Sequence, residues 1–297
     1  MPALLDSATG SREERRQCAI AHMNRGHEGI LAGHPEALDA ALSEYERAIE
    51  ALTDDEGTKD VAWGNSLAAA WLNRGQLLHR RHGIARATDA LRSFDEAERL
   101  LASLSSDFPW PRRNRIGAAI NRANLLLDLG RPLEAHDSAA LAVVLGLNHE
   151  RANALDAELG VKARRTQCDV IGRLLVPPGA NQRLLADQAS DLVDDALALI
   201  RLWAPRVPGV FGLLSRRLFR YGAELYRLHQ PQFLAEFIRE NGAAENELID
   251  IARECLERAL ADRPAGRWLT IGDPASELYI QRMRELEALH AALPRGK

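Results

Sequence analysis

The chain has 297 residues, with 38 Lys and Arg against 42 Asp and Glu and a formal charge of -4. So even a balance gives no general attraction to nucleic acid, and no apolar run approaches the roughly 18 residues that span a membrane. Aromatic residues make up only 5% while 46% are hydrophobic, a mixture that suits helices packed through small side chains better than a sheet.

Residues 1–10 are expected to be disordered and carry no basic segment followed by an apolar run, so a cytoplasmic protein is the expectation. Ser11 followed by Glu14 reads as a capping box that opens a first helix. That helix contains Asn24-Arg25-Gly26 and ends at Ala32-Gly33-His34-Pro35, with Ala41, Tyr45 and Ala48 on the helix after the turn. A second copy contains Asn73-Arg74-Gly75, the turn Arg81-His82-Gly83, and then Ala90, Phe94 and Ala97. All six positions shift by the same 49 residues from the first copy to the second. A third copy contains Asn121-Arg122-Ala123, the turn Leu129-Gly130-Arg131-Pro132, and then Ala135, Ala139 and Ala142. Its tripeptide shifts by 48 and its later triplet by 45, so its turn is three residues shorter. Gly past the end of a helix and Pro at the start of the next are the expected punctuation.

A weaker fourth copy runs from a helix at Lys162 to Leu175, carrying Cys168 and Ile171, to a partner over about Leu184 to Trp203, carrying Ala189, Val193 and Ala196. Val176-Pro177-Pro178-Gly179 breaks it, and Ala204-Pro205-Arg206-Val207-Pro208-Gly209 ends it. Further amphipathic helices are expected over 211–228, 233–240, 245–262 and 274–292. The organisation is therefore a short N-terminal tail (1–10), three helix pairs (11–148), a divergent fourth pair (149–208) and C-terminal helices that cap or diverge (209–297).

The pattern resembles the tetratricopeptide repeat, best in Trp71-Leu-Asn-Arg-Gly75-Gln-Leu-Leu78 followed by Ala90-Leu-Arg-Ser-Phe94-Asp-Glu-Ala97. The first two turns are three residues longer than usual, Arg74 stands where Leu is common, and Ala139 replaces an aromatic. The resemblance implies an all-α superhelix, a solenoid of antiparallel helix pairs, whose first helices line a concave groove. It also implies that Asn24, Asn73 and Asn121 point into that groove and bind an extended peptide. An amide offers a donor and an acceptor, so it pairs with a peptide unit whatever the side chain. These Asn side chains could equally bond neighbouring helix carbonyls or each other. The same helical geometry places His27, Gln76, His79, Arg80, Asn124 and Asp128 beside them, a polar and mixed-charge lining. The related clamp for a terminal carboxylate wants Lys and Asn where Met23 and His27 stand, and a basic pair where the third copy has Ala118 and Asn121, so a clamp of that kind is not expected.

Arg25, Arg74 and Arg122 either snorkel over the packing seam or pair with acids of the second helices. The clusters Arg112-Arg113-Arg115, Lys162-Arg164-Arg165 and Arg216-Arg217-Arg220 either hold phosphate or an acidic partner, or are solvated surface paired with nearby acids. Cys18, Cys168 and Cys255 have no ligand spacing, and His79 with His82 lacks a Cys or carboxylate at ligand spacing, so no metal is expected. No catalytic or cofactor motif occurs. The expected function is a scaffold or adaptor for another protein or peptide, with no cofactor, no membrane and no nucleic acid. A regulator that responds to a peptide or small ligand is the alternative, and an enzyme site within 210–297 is the third.

Overall fold

The computed structural model describes residues 11–53, 60–104, 108–174, 182–203 and 206–207. The expected disordered tail, the break at 176–179, the helices beyond 209 and the cluster at Arg216, Arg217 and Arg220 lie outside the described residues. The chain divides into two units, Met1–Leu174 and Leu175–Lys297.

Every regular element among the described residues is helical. The first unit holds α1 (Arg12–Ala32), α2 (Pro35–Leu52), α3 (Val61–His82), α4 (Ala87–Ala102), α5 (Pro109–Asp128), α6 (Pro132–Gly146) and α7 (Ala154–Leu174). The second unit holds α8 (Gln182–Trp203), with Ala189, Leu192, Val193, Ala196, Leu199 and Ile200 buried along one stripe. No helix among the described residues is long and apolar enough to cross a membrane.

The ends of the helices follow from local chemistry. The Ser11 backbone donates to the Glu14 carboxylate at 2.7 Å while the Ser11 hydroxyl accepts from the Glu14 N–H, which closes the capping box of α1. Asp60 accepts from the Trp63 N–H at 3.0 Å and starts α3. Pro occupies the first turn of α2, α5 and α6, where its missing N–H has no helical partner to lose. Gly33 at the end of α1 adopts φ +75, the left-handed conformation that lets the chain reverse into α2.

α1 packs on α2, α3 on α4 and α5 on α6 as antiparallel pairs, and each pair stacks on the next through α2 with α3, α4 with α5 and α6 with α7. The first helices also meet one another, α1 beside α3, α3 beside α5 and α5 beside α7. Within each pair the repeated small residues are the contact. Gly26 lies under the Tyr45 ring and Gly75 under the Phe94 ring, while Ala123 and Ala139 share a cluster with Leu126, Ala135 and Val170. The aromatic missing from the third pair is thus matched by a contribution from α7. Trp63, outside the repeated pattern, is fully buried; its indole N–H donates to the Leu52 carbonyl at 2.8 Å, and Arg12 and Arg15 lie over its ring at 5.0 and 5.4 Å. Trp71 is only half-buried, with Arg74 over its ring at 5.6 Å.

α7 starts eight residues before the Lys162 expected from the sequence. The Asn153 side chain accepts from the Asp156 N–H at 2.9 Å and fixes the start of the helix there. α7 packs against both α5 and α6, so its buried surface is broad and no narrow apolar stripe marks where it begins. Between α6 and α7 a buried ion pair joins Arg164 to Glu150 at 2.6 Å.

A Cβ on Gly75 would lie 2.7 and 2.9 Å from Phe94 ring carbons and 3.0 Å from Ser93 Cβ, whereas a Cβ on Gly117 would meet only Leu72 at 3.6 Å. Gly75→Ala is therefore expected to cost about 1–3 kcal/mol of overpacking, set against about 1 kcal/mol of helix propensity. Gly117→Ala should keep most of that propensity gain. Chemical denaturation of both variants checks the order: Gly75→Ala below wild type, Gly117→Ala at or above it.

Candidate functional site

The Asn-Arg-Gly tripeptide separates three roles by helical angle. Its third residue packs inward, as described above. Its arginine crosses to the second helices. Arg74 donates to the Ser93 hydroxyl of its own pair at 2.8 Å and to Glu46 of the preceding pair at 3.1 Å. Arg122 repeats the arrangement, donating to Ser138 at 2.6 Å and to Asp95 at 2.8 Å. Glu46 and Asp95 are 49 residues apart, and Ser93 and Ser138 are 45 apart, the same shifts that relate the helices themselves. In the first pair Glu44 stands at the serine position, and Arg25 donates to it at 2.7 Å with His22 at 2.8 Å on the same oxygen. Burial opposes ionisation of Glu44, but the bonds from His22 and Arg25 outweigh it and hold the carboxyl below its usual range. Of the two readings of these arginines, pairing with acids of the second helices is the observed one.

The two basic clusters among the described residues also face acids. Arg113 donates to Asp156 at 2.7 Å, Arg112 reaches the same carboxylate at 3.2 Å, and Arg115 bonds Glu98 at 2.7 Å. Lys162 pairs with Glu158 and Arg165 lies 3.9 Å from Asp169.

The asparagines stand on the remaining face. Asn24 is exposed, and Asn73 and Asn121 are half-exposed. The first helices α3, α5 and α7 enclose an open groove of about 480 Å³. Gln76 and Asn121 line it, together with the amide pair Asn65 and Asn114, bonded at 3.0 Å. Trp110 and Leu155, both largely exposed, form its apolar end, and Arg113 lies beside them. Of the other residues read from the sequence, His79 and Asp128 meet in a hydrogen bond at 2.7 Å. His27 and Arg80 are exposed and Asn124 is half-exposed; with Asn24 and Asn73 they do not line this groove. The structure therefore gathers one of the three asparagines, Asn121, with Gln76, and closes His79 onto Asp128.

Three groove features escape a reading of the repeat alone. Trp110 precedes the copy and is signalled only by Pro109 and Pro111 around it. Asn65 and Asn114 are 49 residues apart, one more than the shift of 48 that relates α3 to α5, so they are not equivalent positions of the repeat. The tie of Arg113 to Asp156 spans 43 residues and has no local signature.

Among the described residues no group of three or more His, Cys, Asp or Glu is placed to hold a metal ion. Cys168 is fully buried, and burial pushes its thiol well above the usual range, which leaves it unreactive. Cys18 is half-buried and Cys255 lies outside the described residues.

No family model matches the chain, and no curated protein matches it. Seven chains of solved structures do. One is the hypoxic regulator of sterol synthesis Nro1, a nuclear import adaptor, 12% identical with a TM-score of 0.35 over 92% of this chain and 93% of that one. A likeness at this level assigns neither a family nor a function to the chain.

Asp156 anchors the apolar end of the groove, because it fixes Arg113 and the start of α7. Burial opposes its ionisation, but the bonds from Arg113 and Asn153 and the charges of Arg113 and Arg112 prevail and lower its pKa. A depressed carboxyl stabilises the fold above its unfolded pKa of about 4, and that contribution is lost as pH falls through the lower folded value. Asp156→Asn should thus cost about 2 kcal/mol near neutral pH, and its deficit against wild type should shrink in strongly acidic solution. Urea unfolding across pH checks both statements; a deficit that does not change with pH contradicts them.

Proposed function

We propose that the chain is a tetratricopeptide-type scaffold that holds an extended segment of another protein in the groove between α3, α5 and α7. The observation that carries this reading is the groove's lining: amides along its length and an exposed aromatic at its end. Gln76 and Asn121 offer donors and acceptors to a peptide backbone in any sequence. Trp110 with Leu155 offers a surface for one large apolar side chain, the kind of contact that concentrates binding energy.

Charge supports the same occupant. Arg113 is the charged residue of the lining, and Asp156 already neutralises it. A strongly charged ligand would lose hydration without gaining a partner, so the groove favours an uncharged stretch with an apolar anchor. Its volume lies within the range of about 300–1,000 Å³ typical of ligand sites, and it is open enough for a chain to pass through.

The test is peptide display on the purified chain, followed by affinity measurement of the selected sequences. Selection should yield a consensus with a large apolar residue and few charges. Trp110→Ala should weaken the selected peptides by about thirtyfold or more, the loss of a hot-spot residue, and Gln76→Ala with Asn121→Ala by about tenfold. Gly117→Arg, which places a long charged side chain at the groove floor, should abolish binding while the helical content is retained. Peptides that bind all of these variants like wild type would refute the reading.

A further inference from the structure

A second cleft of about 490 Å³ opens at the edge of the first unit, where α4 ends and α6 gives way to the turn before α7. Its walls are mixed: Leu101 and Leu104 from the end of α4 and Leu145 and Leu147 from the end of α6 form an apolar side, with Asn148 and His149 beside them. Val144, exposed at its rim, carries the apolar surface outward. Arg112 and Arg115 enter the same cleft from the first turns of α5.

Among the described residues, the charges here do not balance. Arg112, Arg113 and Arg115 are partnered by two carboxylates, Asp156 and Glu98. Arg113 takes Asp156 through two bonds, at 2.7 and 3.2 Å, and the Asn153 amide takes it at 2.6 Å. Arg112 keeps one bond to it, at 3.2 Å, while its Nε is buried with no hydrogen-bond partner. The nearby Glu150 is held by Arg164. Arg112 is thus a guanidinium in a largely desolvated place, 14% exposed, with one long bond to a shared carboxylate and a buried Nε that has none. An under-partnered charged donor is costly to bury, and an anion placed against it removes that cost.

We propose that this cleft binds a small amphiphilic carboxylate, its head on Arg112 and its apolar tail along Leu101, Leu104, Leu145 and Leu147. The excess of a single positive charge fits a monovalent head rather than a doubly charged phosphate, and the planar guanidinium matches a carboxylate in two parallel bonds. The cleft is separate from the long groove and the assignment does not depend on it, although Asp156 touches both through Arg112 and Arg113.

Calorimetric titration of the full chain with octanoate, octanol and octylamine at one ionic strength tests the assignment. Octanoate should bind, octanol about tenfold or more weaker, and octylamine not measurably, because a charge-assisted bond to the head contributes more than a factor of ten. Arg112→Gln should reduce octanoate affinity about tenfold or more. Val144→Glu, which adds a negative charge at the rim without touching the ion-pair network, should do the same, and it decides the matter if Arg112→Gln does not fold. No octanoate binding at millimolar concentration, equal binding of octanoate and octanol, or wild-type affinity in a folded Arg112→Gln would overturn it.

Discussion

The first unit depends on one contact repeated along the chain, the approach of a first helix to its partner at a residue without a bulky side chain. At Gly26 and Gly75 the partner's aromatic ring lies so close that a single added carbon would overlap it. That approach fixes the depth and axial position of each pair. Everything on the same turn of the first helix is then placed by geometry: the arginine one residue earlier reaches the second helices, and the asparagine two residues earlier faces away from them.

The arginines turn a set of pairs into a stack. Arg74 and Arg122 each join their own second helix to the one before through a hydroxyl and a carboxylate. Each exposed pair contributes little alone, but the bonds are directional and recur in register, so they specify how one pair sits on the next. The corresponding positions at α7 are Gln167 and, on α6, Ala140, and there the buried pair of Arg164 with Glu150 makes the connection instead. One consequence reaches the surface. With so many charges committed to internal partners, the groove of α3, α5 and α7 is lined by amides, apolar groups and one neutralised arginine.

Much of the fold was legible because it is written in local rules. The capping box at Ser11, the prolines opening α2 and α6, the glycine ending α1 and the common shift of 49 residues each depend on a few neighbouring residues. The start of α7 was not legible, since it depends on Asn153 and on an arginine 43 residues away. Nor was the central place of Trp63, whose burial follows from the closure of α1, α2 and α3 around it. The site was legible only in part. Spacing along a helix tells which residues share a face, and so it found Gln76 and Asn121. It does not tell how adjacent helices rise past one another, which is what pairs His79 with Asp128, joins Asn65 to Asn114 and brings Trp110 to the end of the groove.

The most direct test of the account is photo-crosslinking from inside the groove. A photoreactive residue at position 117, on the groove side of α5, is compared with one at Ser43, exposed on the second helix α2. A selected peptide should crosslink from position 117 and not from position 43. Crosslinking from position 43 alone would mean that the second helices carry the binding surface and that the amide-lined groove does not.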